Sequence, residues 1–163
     1  MKTLLISFIL VLSSLSLHAT PQAGDQLVLE KDKKVWVHNF TLSEATDKKL
    51  DNWKEAKGYS GVSSTANYDG FYASLELREG KLFLTKLTVD AHSEKKGFFE
   101  AEVPLSDIFG KKDALPADWF SGELWEFFGE SKGYTHFKSD VRIYVIEKGR
   151  LVETKVKKST ELK

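Results

Sequence analysis

Alternating apolar and polar residues predict a clear β-hairpin in residues 73–89. A two-residue turn at Glu79-Gly80 places Leu77 opposite Leu82 and Leu75 opposite Leu84, because glycine accepts the positive φ that tight hairpin turns require. The residues predicted to share the core face are Phe71, Ala73, Leu75, Leu77, Leu82 and Leu84. A strand pair with one apolar face needs a second layer to cover it, so this pattern favours a sheet-based fold.

The same pattern recurs in residues 141–156, where Lys148-Gly149 is the predicted turn. A regular register forms one apolar face, in which Val141, Ile143 and Val145 align with Val152, Thr154 and Val156. Arg142, Glu153 and Lys155 then lie on a largely solvent-exposed face. A weaker hairpin is predicted in residues 27–40, where a charged loop separates Leu27 and Leu29 from Val35 and Val37.

Helical periodicity is confined to residues 43–58. Ser43 is a possible N-cap, Leu50 and Trp53 are at helical spacing and Gly58 is a stop, which indicates a short surface helix or a loop. Residues 104–120 predict a long connection, and residues 121–130 a strand with apolar side chains on both faces. Seven or eight strands in total predict a mainly β fold, an antiparallel β-sandwich or open barrel with at most one short helix.

The first nineteen residues have the pattern of a Sec-type secretory signal peptide. Lys2 precedes an apolar run over residues 4–12, and a Ser/Leu stretch ends at Ala19, a small residue suited to cleavage. We therefore expect a signal peptide over residues 1–19, a single β-rich domain over residues 20–163, and a periplasmic or secreted location. No later segment is apolar for long enough to span a bilayer, so no membrane insertion is expected after cleavage.

Composition excludes several kinds of site and partner. The chain has no cysteine, which excludes disulfides, thiol nucleophiles and thiolate metal sites. Without Lys2, 23 basic residues face 24 acidic ones, and this balance does not indicate a nucleic-acid partner. His38, His92 and His136 are far apart in sequence, so we expect neither a metal site nor a cofactor.

Sequence signatures of catalysis are missing. The chain has no phosphate-binding glycine loop, no zinc-protease motif and no serine-hydrolase elbow. Asp118 and Glu123 lie close in sequence, and two carboxylates are what glycoside hydrolysis requires. A hydrolase that uses this pair is therefore an alternative to a protein without catalytic activity.

Aromatic residues are the one enriched feature. They cluster in residues 68–72 and again in residues 117–130, where they can fill the core or form a binding surface for a protein or a glycan. We expect residues 64–67 to form a loop and Asp69-Gly70 to be the bend that starts a strand. The candidate ligand-binding residues are Tyr68, Asp69, Tyr72, Trp119 and Trp125.

Three blocks, residues 63–87, 117–124 and 146–152, resemble a group of small exported bacterial proteins of unassigned function. The group has STAxxRGY-like and ADWFSGEL-like blocks, and the corresponding residues here are "STANYDGFY" and "ADWFSGEL". Asp69 stands where the group usually has Arg, and Leu75 where it usually has Trp. The resemblance implies a β-rich bacterial domain and brings no activity with it.

The sequence therefore predicts an exported bacterial β-domain that binds an unknown protein or glycan without catalysis. An inhibitor or immunity role is one form of this hypothesis. An envelope hydrolase that uses Asp118 and Glu123, and a structural envelope component, are the alternatives.

Overall fold

The computed structural model describes residues 24–61, 67, 69–111, 113–128 and 140–161, and this part of the chain is mainly β. Its strands are β1 (Asp25–Val28), β2 (Lys34–Val37), β3 (Ser60–Gly61), β4 (Phe71–Arg78), β5 (Lys81–Ser93), β6 (Gly97–Val103), β7 (Leu115–Pro116), β8 (Gly122–Phe128), β9 (Asp140–Glu147) and β10 (Arg150–Lys158). Two α-helices accompany them, α1 (Glu44–Ala56) and the five-residue α2 (Leu105–Phe109). Neither helix in these ranges is long and apolar enough to cross a membrane.

One sheet contains all ten described strands. Seven of them follow the order β2-β1-β4-β5-β10-β9-β8, and β3, β6 and β7 pair with the long strand β5. The pairing is antiparallel throughout except between β1 and β4, which run parallel. The prediction of a mainly β fold is confirmed, with one parallel pair that the sequence did not indicate.

Two narrow seams, one within the strand order and one between its two ends, hold the sheet together. At the first, β5 meets β10 beside the two hairpin turns, where Leu82 N donates to Gly149 O at 2.8 Å and Leu151 N donates to Gly80 O at 2.9 Å. At the second, the chain just after β2 meets β8, where His38 and Trp125 exchange backbone hydrogen bonds of 3.0 and 3.2 Å. The arrangement is an open barrel, because each seam involves few residues.

A single apolar cluster fills the interior. It includes Leu75 and Leu84 from the first hairpin and Leu124, Tyr144 and Ile146 from β8 and β9. The two helices cover one end, contributing buried Leu50 and Ile108 to the same cluster, and Trp53 Nε1 donates to Asp107 Oδ2 at 3.0 Å between them. Strands from both hairpins and both helices therefore pack on the same core.

The first predicted hairpin is confirmed next to its turn, and beyond Leu75 and Leu84 a bulge at Thr85 shifts the register and turns Leu87 and Val89 into the core. Leu77 pairs with Leu82 and Leu75 with Leu84, and the turn residues Glu79 and Gly80 both have positive φ, 48° and 72°. The weaker hairpin forms as β1 and β2, with Leu27 paired to Val35. The helix also begins as predicted, since Ser43 Oγ accepts from Thr46 N at 3.3 Å and caps α1.

The register predicted for the C-terminal hairpin is wrong beyond its turn. A β-bulge between Leu151 and Glu153 shifts the pairing by one residue, so that Lys155 instead of Thr154 lies opposite Ile143. A bulge of this kind adds one residue to a single strand and reverses which face every later side chain occupies.

The predicted core face of β9 is also wrong. Tyr144 and Ile146 join the main apolar cluster, whereas Val141 and Ile143 are buried outside it on the other face. Both faces of β9 therefore carry buried residues, and a strand covered on both faces does not alternate between apolar and polar positions. The long connection predicted for residues 104–120 contains α2 and the short strand β7.

Candidate functional site

A groove of about 530 Å³ lies on the outer face of the sheet across β2, β1, β4 and β5. One row of paired residues crosses it: Trp36 pairs with Gln26, Gln26 with Ser74, and Ser74 with Lys86. Adjacent strands are about 4.8 Å apart, so this row spans roughly 14 Å. The same strands send Leu27, Val37 and Leu75 into the core, which leaves the alternate residues on the outer face.

Two aromatic side chains flank the groove. Trp36 has 64% of its surface exposed although it lies between the buried residues Val35 and Val37. Tyr72 is half-buried, and its hydroxyl donates to Asp90 Oδ2 at 3.3 Å. The buried residue Asn67 donates to the same oxygen at 2.8 Å, so the carboxylate that holds the Tyr72 hydroxyl is itself held by Asn67.

Two backbone features shape the groove floor. Gly24 lines the groove, and a Cβ at this residue would lie 2.8 Å from Val37 O and 3.3 Å from the His38 ring. Only glycine therefore allows the chain to approach this closely. On β5, Thr85 forms a bulge opposite Ser74, and its hydroxyl donates to Ser74 O at 2.9 Å. Bulges bend a strand and redirect its side chains, and they are common beside functional sites.

Acidic groups outnumber basic ones at the β5 side of the groove. Lys86 lines the groove, but its ammonium group is 2.7 Å from Glu102 Oε2 and is paired with it. Glu100 also lines the groove and pairs in register with Asp90. Burial, followed by the nearby Asp90 charge, raises the pKa of Tyr72 above its usual value, so this hydroxyl stays protonated and can donate a hydrogen bond.

Asp25 lies beneath the groove, between the lining residues Gly24 and Gln26. Its Oδ1 accepts from Ala73 N at 2.6 Å and joins β1 to β4. Burial raises the pKa of Asp25 to about 7, the Ala73 hydrogen bond lowers it and the Asp69 charge raises it further. This carboxyl group therefore changes charge near neutral pH.

The residues predicted as a site do not come together. Tyr72 lines the groove, and Asp69 is exposed at the turn before β4. Trp119 packs against the core and stacks on Phe109 with 5.7 Å between ring centroids. Trp125 lies at the second seam, where its Nε1 donates to Glu123 Oε2 at 3.1 Å. Tyr68 lies outside the described residues.

The carboxylates of the hydrolase alternative are in different settings. Asp118 is exposed in the turn after β7. Glu123 is 2.9 Å from Lys155 Nζ, and hydrogen bonds from Lys155 and then Trp125 lower its pKa. A glycosidase acid needs a raised pKa so that it is protonated when it acts. The lowered pKa keeps Glu123 ionised, so it cannot be the catalytic acid. An ionised carboxylate could still act as a base or nucleophile.

A second polar cluster joins β8 to β9 on the inner face of the sheet. Glu126 is buried, and its Oε2 accepts from Arg142 Nη1 and from the Tyr144 hydroxyl, both at 2.6 Å. Burial and then the Glu126 hydrogen bond raise the pKa of Tyr144 to about 12. The Glu126 charge is paired with Arg142 and also accepts from Tyr144, so this cluster links β8 to β9 structurally.

Within residues 24–61, 67, 69–111, 113–128 and 140–161, no three His, Asp or Glu side chains are placed to hold a metal ion.

Sequence reasoning missed most of the groove. Trp36 could have been found, because it alternates with two valines of the predicted hairpin and must therefore point to the opposite face. Gln26, Ser74 and Lys86 carry no such signal. They become neighbours only through the parallel pairing of β1 with β4 and the bulge at Thr85.

Comparison with family models, curated proteins and solved structures finds no match to this chain. The resemblance carried by residues 63–87 and 117–124 stays a prediction, and the chemistry of the groove has to be judged from its own side chains.

Proposed function

We propose that this protein is an exported, non-catalytic binding module and that the outer-face groove is its binding surface. The exposed ring of Trp36 carries the proposal, because a Trp side chain left 64% exposed beside a groove offers a large contact area to a ligand. The groove volume of about 530 Å³ lies within the range of roughly 300–1,000 Å³ found for small-molecule sites.

The side chains around the groove suit binding better than catalysis. Gln26, Ser74 and Thr88 are neutral hydrogen-bonding groups, and Tyr72 is held by Asp90 and Asn67. A rigid aromatic ring beside a few fixed polar groups is the usual composition of a ligand site. Asp25, the nearby carboxyl group whose pKa is raised to about 7, does not line the groove and accepts from the backbone of Ala73.

A retention experiment tests this proposal. The exported protein is immobilised and exposed to the soluble proteins and polysaccharides of the bacterial envelope, and bound material is identified by mass spectrometry and sugar analysis. We expect retained material that is chemically unchanged, and we expect Trp36→Ala to lose at least about 90% of it, a tenfold effect.

Phe98→Ala is the matched control for that experiment. Phe98 is 75% exposed on β6 and does not line the groove, so its removal deletes a comparable exposed ring. Equal retention by wild type, Trp36→Ala and Phe98→Ala would contradict the groove as the binding surface. Hydrolysed products, lost in an Asp118→Asn/Glu123→Gln variant, would contradict the absence of catalysis and support the hydrolase alternative.

Export is the second half of the proposal. It is supported by the charged start, apolar run and small residue of the first nineteen residues. Expression of the full chain in a bacterial host should place a processed form that begins at Thr20 in the periplasm or medium. An unprocessed cytoplasmic protein that begins at Met1 would contradict it.

A further inference from the structure

We infer that the groove binds a neutral glycan, with one sugar ring stacked on Trp36 and the next over the Gln26–Ser74 row. The inference rests on the proposed function, since it names the ligand class of the same groove.

Trp36 supplies the apolar part of such a site. One face of a pyranose ring carries C–H groups, and these pack against the flat face of an aromatic side chain. Trp36 stands at one end of the row and keeps 64% of its surface free. Its two neighbours in the chain, Val35 and Val37, are fixed in the core, so the ring is presented from a rigid strand.

The floor supplies hydrogen bonds that match sugar hydroxyls. Gln26 lies next to Trp36 across the strand pair, and Ser74 follows Gln26 on β4. An amide and a hydroxyl can each donate and accept, as a sugar hydroxyl does. The row runs roughly 14 Å from Trp36 to Lys86 across four strands, which is long enough for a short oligosaccharide rather than a single ring.

The charges favour a neutral ligand over an acidic one. Lys86 is paired with Glu102 at 2.7 Å, which leaves no free positive charge among the described lining residues. Glu100 lines the same side of the groove, and Asp90 lies opposite it in the strand register. An acidic polysaccharide or a nucleic acid would meet net repulsion at this end.

The position of the groove argues against a peptide ligand. An extended peptide gains most of its affinity by hydrogen-bonding to a free strand edge. The floor strands β1 and β4 have no such edge here, because β1 is paired with β2 and β4, and β4 with β1 and β5. The floor of the groove therefore offers side chains and little free backbone.

Calorimetric titration of the exported protein with defined oligosaccharides tests the inference. The neutral probes are cellotetraose, maltotetraose and chitotetraose, and the acidic probe is a tetragalacturonate. We expect one or more neutral probes to bind, with an affinity that changes less than about twofold between low and physiological salt, because no charge pair forms. Trp36→Ala should weaken that binding at least about tenfold, and Gln26→Ala should also weaken it, while Phe98→Ala leaves it unchanged.

The outcomes separate the inference from the proposed function. Binding of the acidic probe alone, weakened by salt, overturns the neutral class. If none of the glycans binds but a purified protein ligand is held in a Trp36-dependent way, the inference fails and the binding module remains. If neither glycans nor envelope components depend on Trp36, both fail.

Discussion

At Asp25 a single carboxyl group connects the two parallel strands beneath the groove. Its Oδ1 accepts from Ala73 N at 2.6 Å, and burial raises its pKa to about 7 from 3.8. The folded protein therefore binds this proton more tightly than the unfolded chain does. Protonation of Asp25 therefore stabilises the folded state. This contribution to the free energy of unfolding is fully present below about pH 4 and is lost as the pH rises through 7.

Substitution of Asp25 by Asn should remove this pH dependence. The amide oxygen still accepts from Ala73 N, but no charge forms. The variant should match the wild type near pH 4 and exceed its free energy of unfolding by on the order of 4 kcal/mol at pH 8. Urea unfolding at pH 4.5, 6 and 8 measures the difference.

Asp113→Asn is the control, because Asp113 is exposed and the substitution removes the same charge from the surface. Its curve should stay parallel to that of the wild type. A constant difference between Asp25→Asn and wild type from pH 4.5 to 8 would show that Asp25 does not exchange its proton in this range.

Individual side chains also show how far the sequence identified the candidate site. Tyr72 was among the predicted ligand residues and lines the groove, whereas Trp119 stacks on Phe109 beside the core. Composition shows that aromatic residues are abundant but not which way each one points. That direction depends on strand phase, and it was readable for Trp36 because two core valines flank it.

At the scale of elements, the two hairpin turns are the best-predicted features. Glu79-Gly80 and Lys148-Gly149 have nearly the same backbone, with φ of 48° and 72° in the first and 47° and 71° in the second. A Gly at the second position of a two-residue loop is a strong local signal. The bulge between Leu151 and Glu153 has no comparable signal, so the turn was predicted and the register beyond it was not.

The two turns differ in their surroundings, and paired substitutions test this. A Cβ on Gly80 would meet no atom within 4 Å, whereas a Cβ on Gly149 would lie 2.8 Å from Ala117 O. Gly80→Ala should lower the free energy of unfolding by about 1–2 kcal/mol, because alanine at a positive φ is strained. Gly149→Ala should cost roughly 1–3 kcal/mol more, because a backbone carbonyl must move.

Urea unfolding of both variants at one pH measures these costs, and each variant is the control for the other. Equal losses of unfolding free energy would mean that Gly149 does not pack against residues 117–118. A larger loss of unfolding free energy in Gly80→Ala than in Gly149→Ala would show that Gly80, and not Gly149, packs against neighbouring backbone.

At the scale of the whole molecule, one core joins two groups of strands, β1–β7 and β8–β10, which meet at two narrow seams. Strand pairing between neighbours in sequence was predictable, but the order β2-β1-β4-β5-β10-β9-β8 was not. It depends on contacts between distant residues, such as His38 with Trp125 and Gly80 with Leu151. Local patterning cannot encode such pairings, because each strand only presents an apolar face that several partners could cover.

Because Leu84, Leu124 and Ile146 belong to one apolar cluster, the two seams should open together. Native-state hydrogen exchange tests this at the amides of His38 and Trp125 in one seam and of Leu82 and Leu151 in the other. In the wild type, all four should exchange with the free energy of global unfolding. Gly149→Ala disturbs only the seam of Leu82 and Leu151, but it should lower the protection of His38 and Trp125 by the same amount. If the His38 and Trp125 amides keep their wild-type protection in that variant, the two groups of strands unfold separately and the open barrel is not one cooperative unit.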